Sequence, residues 1–198
     1  NGAGKSTLLR IINNIIIQDQ GEILINGSPL SEFSSRHIGY LPEERGLYKK
    51  MKVSEQLLYL ARLKGMSTFD AKREAEVWYE KLGVGEWRNK TLESLSKGMQ
   101  QKIQFISTVI HKPQMIILDE PFSGFDPVNA ALIKEQILLL KKEGVSIILS
   151  THNMESVEEL CDKIALINQG EIVLEGRVNT IKKKFGADQF EIVFQGNV

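Results

Sequence analysis

The residues NGAGKST at the head of the chain, Asn1 to Thr7, constrain the fold more than any other segment. They end a Gly-x-x-x-x-Gly-Lys-Ser/Thr pattern whose leading glycine would stand upstream of Asn1, so the expectation is a fragment that lacks its start. Gly2 and Gly4 let the backbone curl until successive N–H groups point at one anion. Lys5 adds a charge that reaches the β- and γ-phosphates, and the hydroxyl of Ser6 or Thr7 can ligate Mg²⁺. A helix is predicted over 6–14, apolar at Leu8, Leu9, Ile11, Ile12 and, just beyond, Ile15, with its positive N-terminus toward the same phosphates. The plainer alternative is a glycine-rich turn before a helix, but Gly-Lys-Ser-Thr favours phosphate.

Behind this loop, strand and helix patterns alternate as in a parallel α/β sheet. Segment 22–30 reads as a strand entering a turn at Asn26-Gly27, and 37–43 as a short strand stopped by Pro42. Helices are predicted over 53–64 and 68–82, the second with Ala71, Ala75, Trp78 and Leu82 on one stripe. A long helix starts near 96, with Met99, Ile103, Ile106 and Ile110 on one face and Pro113 after its end. Strand 115–119 follows. Asp126 caps a helix with Pro127 at its first position, and Gly144 closes it after Lys141 and Lys142. Strand 145–150, helix 154–161 and a hairpin 163–168/171–176 turning at 168–170 complete the core.

Four further motifs stand in fixed order: LSKGMQQ at 95–101, MIILDE at 115–120, SGFD at 123–126 and IILSTH at 147–152. With NGAGKST, this series resembles the nucleotide-binding subunit of ATP-binding-cassette (ABC) transporters, whose motifs are the Walker A loop, the LSGGQ signature, Walker B, the D-loop and the switch histidine. The resemblance covers residues 1 to about 152, and the stretch to about 176 is also typical. It implies an α/β P-loop NTPase core with an inserted helical subdomain. The organisation expected is a first core part at 1–44, a helical subdomain with a coupling region at 45–95, a second core part at 96–176 and the start of a C-terminal extension at 177–198.

By this resemblance ATP and Mg²⁺ are the ligands. Asn1, Gly2, Gly4, Lys5, Ser6 and Thr7 hold the phosphates, Ser6 and Asp119 hold the metal, and Glu120 is the general base. Phosphoryl transfer needs such a division between a metal site and a group that orients an in-line nucleophile. His152 touches the γ-phosphate and keeps Glu120 in register, whereas His37 and His111 are structural, His111 as a cation favoured by a helix's last turn. Ser96, Lys97 and Gly98 form a second anion site that closes over the partner's nucleotide, with Gly124 and Asp126 at the same interface.

Two positions depart from the family pattern. Lys97 replaces the first glycine of the signature, and Met99 its glutamine. Glu43 stands where the family carries a glutamine that joins the metal shell; a carboxylate can also ligate a hard cation but adds negative charge beside the triphosphate. The stretch GYLPEERGLY (39–48) resembles the sodium-exporter (Nat-type) subgroup, and 189–196 reads as the first strand of its extension. Residues 45–56, with Lys49, Lys50 and Lys52, face a membrane subunit in such proteins, although such a charge run by itself is usually a solvated loop; the 182–184 lysines read as solvated.

Lys plus Arg and Asp plus Glu are both 25, so no overall field points to nucleic acid. No apolar run reaches the roughly 18–20 residues of a membrane span. The lone Cys161 excludes an internal disulfide and reads as a packed residue on a helical face with Met154, Val157 and Leu160. The partners implied are a second ATP-binding subunit, identical or not, and an integral membrane permease, with the chain peripheral on the inner face of the membrane. Two alternatives stay open: an ABC ATPase of DNA repair or translation, and a regulatory module that holds ATP with little hydrolysis. The resemblance also implies that an upstream strand pairs with 145–150, so the chain alone is expected to leave an open apolar edge and to aggregate.

Overall fold

The elements run α1 (Lys5–Ile12), β1 (Leu24–Ile25), β2 (Ser28–Pro29), β3 (Ile38–Leu41), α2 (Val53–Leu63), α3 (Thr68–Leu82), α4 (Lys97–Val109), β4 (Met115–Asp119), α5 (Pro127–Lys142), β5 (Ser146–Ser150), α6 (Met154–Leu160), β6 (Lys163–Asn168), β7 (Glu171–Arg177) and α7 (Val178–Phe185). This is a computed structural model, and it describes residues 2–30, 35–44 and 46–185. They fall into two compact units, Lys5–His152 and one that joins Asn1–Gly4 to Asn153–Val198.

In the first unit β4 is the centre of a three-stranded parallel sheet in the order β3-β4-β5, with Tyr40 opposite Ile117 and Asp119 opposite Ser150. A strand flanked on both sides and covered on both faces must be apolar throughout, and Ile116, Ile117 and Leu118 are fully buried. On one face, Leu9 of α1 packs with Ile25, Leu30, Ile38 and Ile117, and Ile12, Tyr40 and Ile148 close around them. α4 packs against β3, and its backbone comes so near that a Cβ at Gly39 would sit 2.3 Å from the Thr108 carbonyl oxygen. Gly39 is therefore required by the approach of a helix. β5 has one neighbour among the described strands, and Ile147, Ile148 and Leu149 are only half-buried.

α2, α3 and α4 pack on one another through Val53, Leu57, Ala61, Ala71, Ala75, Trp78 and Phe105, all buried, with Trp78 edge-on to Phe105 at 5.9 Å. Each such Leu or aromatic contributes about 1.5–3 kcal/mol by leaving water. The ends of these helices follow local rules. Ser67 caps α3 by accepting from the Asp70 N–H at 3.0 Å, Gly83 ends it in the left-handed region, and Asp126 caps α5 by accepting from the Asn129 N–H at 3.0 Å.

The second unit contains α6, the β6–β7 hairpin and α7. The hairpin turns at Gln169-Gly170, both with positive φ, as a tight two-residue turn demands. The Gly170 N–H donates to the Ala3 carbonyl at 3.0 Å.

Several expectations need correction. The 22–30 segment is no single strand but a minimal hairpin, β1–β2, because Asn26 and Gly27 both take positive φ and reverse the chain. α1 ends at Ile12, and Leu8 and Ile15 are exposed. Cys161 follows α6 in extended backbone and is half-exposed rather than packed, while Met154 is exposed. The 182–184 lysines are exposed, as read, but they lie on a helix that was not expected, α7, where Lys182 pairs with Glu158 at 2.6 Å. His111 is no cation at a helix end. It is buried beyond α4 with Nε2 3.2 Å from the Ile38 carbonyl oxygen, and burial, with the Lys64 ammonium adding to it, pushes its pKa down to about 4. The expected strand at 189–196, residue Arg45 of the coupling segment and Asn1 lie outside the described residues.

Candidate functional site

β4 delivers its two carboxylates differently. Asp119 lies two residues beyond Ile117, on the face that packs against α1, and is buried at 3 % exposure. Glu120 follows the strand in the left-handed region at φ 48°, a conformation that costs a non-glycine residue about 1–3 kcal/mol. Two contacts hold it there. Its N–H donates to the Ser150 carbonyl at 2.9 Å, and its Oε1 lies 2.9 Å from His152 Nδ1. A carboxylate only accepts, so Nδ1 carries the proton, and in the neutral imidazole Nε2 is left as an acceptor. The Glu120 side chain is 15 % exposed and that of His152 82 %, so the histidine covers the acid from the solvent side.

The phosphate loop has the backbone its sequence requires. Gly2 and Gly4 take φ 80° and 97°, and α1 begins at Lys5 with Ser6 and Thr7 in its first turn. The residues fit a magnesium nucleotide. The Ser6 hydroxyl and Asp119 carboxylate are hard oxygen donors, and Ser150 Oγ, across from Asp119 in the register, is buried with no protein partner. Among the described residues no group of three or more His, Cys, Asp or Glu could hold a metal ion. That suits magnesium, which takes one or two protein oxygens and completes its shell from phosphate and water.

A cleft of about 240 Å³ opens at the same edge of the sheet, with Glu43, Lys97, Gln101, Gln104, Glu120 and Gly124 among its walls. It brings the departing positions, Glu43 and Lys97, to the candidate base. Ser96 caps α4, its Oγ accepting from the Met99 N–H at 3.3 Å, which leaves its hydroxyl proton free to donate outward. Gly98 is half-buried, and a Cβ there would stand 3.9 Å from Asn129 Nδ2. Gly124 is left-handed at φ 79°. The Asn129 backbone N–H, and then its side chain, lower the Asp126 pKa, so this aspartate serves as a helix cap in the single chain.

Sequence reasoning missed two features. Gln101 and Gln104 stand one and two turns after Lys97 and grip loops: Gln101 Nε2 donates to the Ser123 carbonyl, and Gln104 Nε2 to the carbonyls of Pro42 and Glu44 at 3.3 and 3.4 Å. Their i, i+4, i+7 spacing from Lys97 was the available signal. Tyr40 interacts with both Asp119 and Arg10: burial and then the Asp119 charge raise the Tyr40 pKa, and the Arg10 guanidinium opposes them. Nothing local in the sequence pairs those two.

Comparison with known proteins agrees with this geometry. The family model described as ABC transporter matches residues 1–123, and the chain belongs to that family. The Bacillus subtilis (strain 168) "Uncharacterized ABC transporter ATP-binding protein YhaQ" is 53 % identical over 186 residues, which are 94 % of this chain and 62 % of that protein. The "ABC transporter ATP-binding protein NatA" of the same organism is 33 % identical over 203 residues, covering 100 % of this chain and 82 % of its own length. A solved "Structure of ATP binding subunit of ABC transporter" superposes with a TM-score of 0.85 at 30 % identity, covering 94 % of this chain and 79 % of that one. The fold is therefore that of an ABC ATP-binding domain, an α/β P-loop NTPase.

Proposed function

We propose that the chain binds and hydrolyses ATP and powers an ABC exporter through ATP-driven head-to-tail dimerisation. The observation that carries hydrolysis is the Glu120–His152 contact at 2.9 Å beside a buried Asp119. Lys5 and the N–H groups from Gly2 onward take the β- and γ-phosphates, and Ser6 and Asp119 would hold Mg²⁺, which when bound neutralises charge on the phosphate oxygens. Glu120 orients a water in line with the γ-phosphorus and accepts its proton as the new P–O bond forms and the bond to the β–γ bridging oxygen breaks. His152 fixes the carboxylate through Nδ1–H, and as an imidazolium it would donate from Nε2–H to the γ-phosphate.

The signature residues Ser96 and Gly98, with Gly124 and Asp126, lie at exposed or half-exposed positions and would complete a partner's site. Among the described residues no helix is long and apolar enough to cross a membrane. The helical subdomain would dock on a permease subunit. Export is favoured by 39–48, whose sequence resembles the sodium-exporter (Nat-type) subgroup.

The test is steady-state ATPase activity of the full-length protein as its concentration rises. Head-to-tail action predicts a rate per chain that climbs with concentration, and trapping of a dimer by ATP when Glu120 is replaced by Gln. A rate per chain independent of concentration would sink the dimer reading; no turnover in membranes that carry the partner subunits would sink hydrolysis.

A further inference from the structure

Lys97 breaks a local rule. It is the first residue of α4, where the positive helix end disfavours a cation, and no acidic residue stands in that first turn to offset it. A residue that is locally unfavourable and has no local compensation points to a role beyond the helix.

Its surroundings name that role. Lys97, Gln101 and Gln104 share one face of α4, and all three line the cleft. Gln104 grips the loop on both sides of Glu43 and Gln101 grips the loop after Glu120, so both loops are fixed relative to the helix that carries Lys97. Among the described residues, Lys97 is the only cationic side chain in that lining, which it shares with two carboxylates, Glu43 and Glu120. Where the family pattern has neutral residues, this chain adds one negative and one positive charge to a single cleft.

We propose that Lys97 acts within its own chain as the counter-charge of Glu43, offsetting the extra carboxylate beside Glu120 and so setting how tightly the chain holds MgATP. The inference rests on the ATP-binding reading above. Lys97 is then a positioning residue, whose effect runs through Glu43 and not through direct contact with a phosphate.

A double-mutant cycle separates the two. MgATP affinity, kcat and KM are measured on the full-length protein as wild type, Lys97→Gln, Glu43→Gln and the double variant, with thermal melts confirming the fold. With Glu43 present, Lys97→Gln should weaken MgATP binding about two- to fivefold, the size of an exposed charge pair, and raise KM while kcat holds. With Gln at 43, the same change should have no effect. In 1 M salt, where screening acts within about 3 Å, the difference between backgrounds should vanish. An equal loss in both backgrounds would mean that Lys97 meets the phosphate itself, and no loss in either that it is merely solvated; each overturns the proposal. A wild type that binds no MgATP would instead remove the functional reading, and this inference with it.

Discussion

The C-terminal tip of β4 and the N-terminal tip of α4 line the same cleft, yet they are held in opposite ways. Glu120 is fixed within the chain: a strained backbone, a hydrogen bond to Ser150 and a histidine over its carboxylate leave it little freedom. Ser96 and Lys97 are exposed, and the Ser96 side chain does no more than accept from the Met99 N–H. A strand end delivers a side chain rigidly to a fixed point, whereas a helix start presents donors outward to whatever arrives. The first suits a group that must act on a bond, the second a surface that must close on a ligand held elsewhere.

The largest effect comes from breaking the fixed tip. Glu120→Gln keeps the shape and the contact with His152 but cannot take a proton. Its kcat should fall about 10²–10⁴-fold, the usual span for a lost general base, with MgATP affinity kept. Wild-type turnover in this variant would remove Glu120 from the chemistry.

Which of these features the sequence discloses depends on how local their causes are. α3, β4 and α5 fall at the predicted residues because Ser67, Gly83, Asp126 and Pro127 stop and start them from within a few positions. The carboxylate pair at 119–120 is legible for the same reason, as an apolar run that ends in charge. The left-handed backbone of Glu120 is set by β5, the closeness of Gly39 to α4 by a helix some seventy residues on, and the state of His111 by burial under β3. Those are tertiary facts, and no window of sequence contains them. α7 escaped because three exposed lysines in a row leave little apolar period to read, and only Val178, at its start, is buried.

The next effect tests the base on which the open tip stands. α4 is anchored at its far end, where Ile38 O accepts from Lys64 Nζ at 3.0 Å and lies 3.2 Å from Nε2 of neutral His111. The ordinary histidine pKa is 6.5, and the folded value is about 4. The unfolded chain therefore takes up the proton first as pH falls, and stability present above pH 6.5 drains away toward pH 4. At full extent this is about 3 kcal/mol. His111→Gln, which retains a donor for the Ile38 carbonyl, should flatten that part of the slope. Urea midpoints from pH 7 to 4.5 would show it, and parallel curves for both proteins would refute the burial argument.

Gly39→Ala attacks the same anchor from the sheet side. The new Cβ meets a backbone oxygen at 2.3 Å, so β3 or α4 must shift. Overpacking of this kind costs about 1–3 kcal/mol. Because α4 carries the open tip, the Gln104 grip on the loop around Glu43 should loosen as well, read as faster amide exchange at 43–44. An unchanged melting curve would show that the contact is relieved without effort.

The smallest effect belongs to the open tip itself. If Ser96 does no more in the single chain than cap α4, Ser96→Ala should cost only about 0.5–1 kcal/mol of stability, and Ser96→Asn should restore it, since asparagine caps equally well. The cap is long at 3.3 Å, which puts the expected loss at the lower end. This inverts the behaviour of the fixed tip: there a substitution removes chemistry and spares the fold, while here, in a single chain, it touches the fold and has no chemistry to remove. Denaturant melts of the full-length protein as a nucleotide-free monomer distinguish the outcomes. A loss of several kcal/mol would mean that the α4 start is already held by contacts of its own chain, and the contrast between the two tips would disappear.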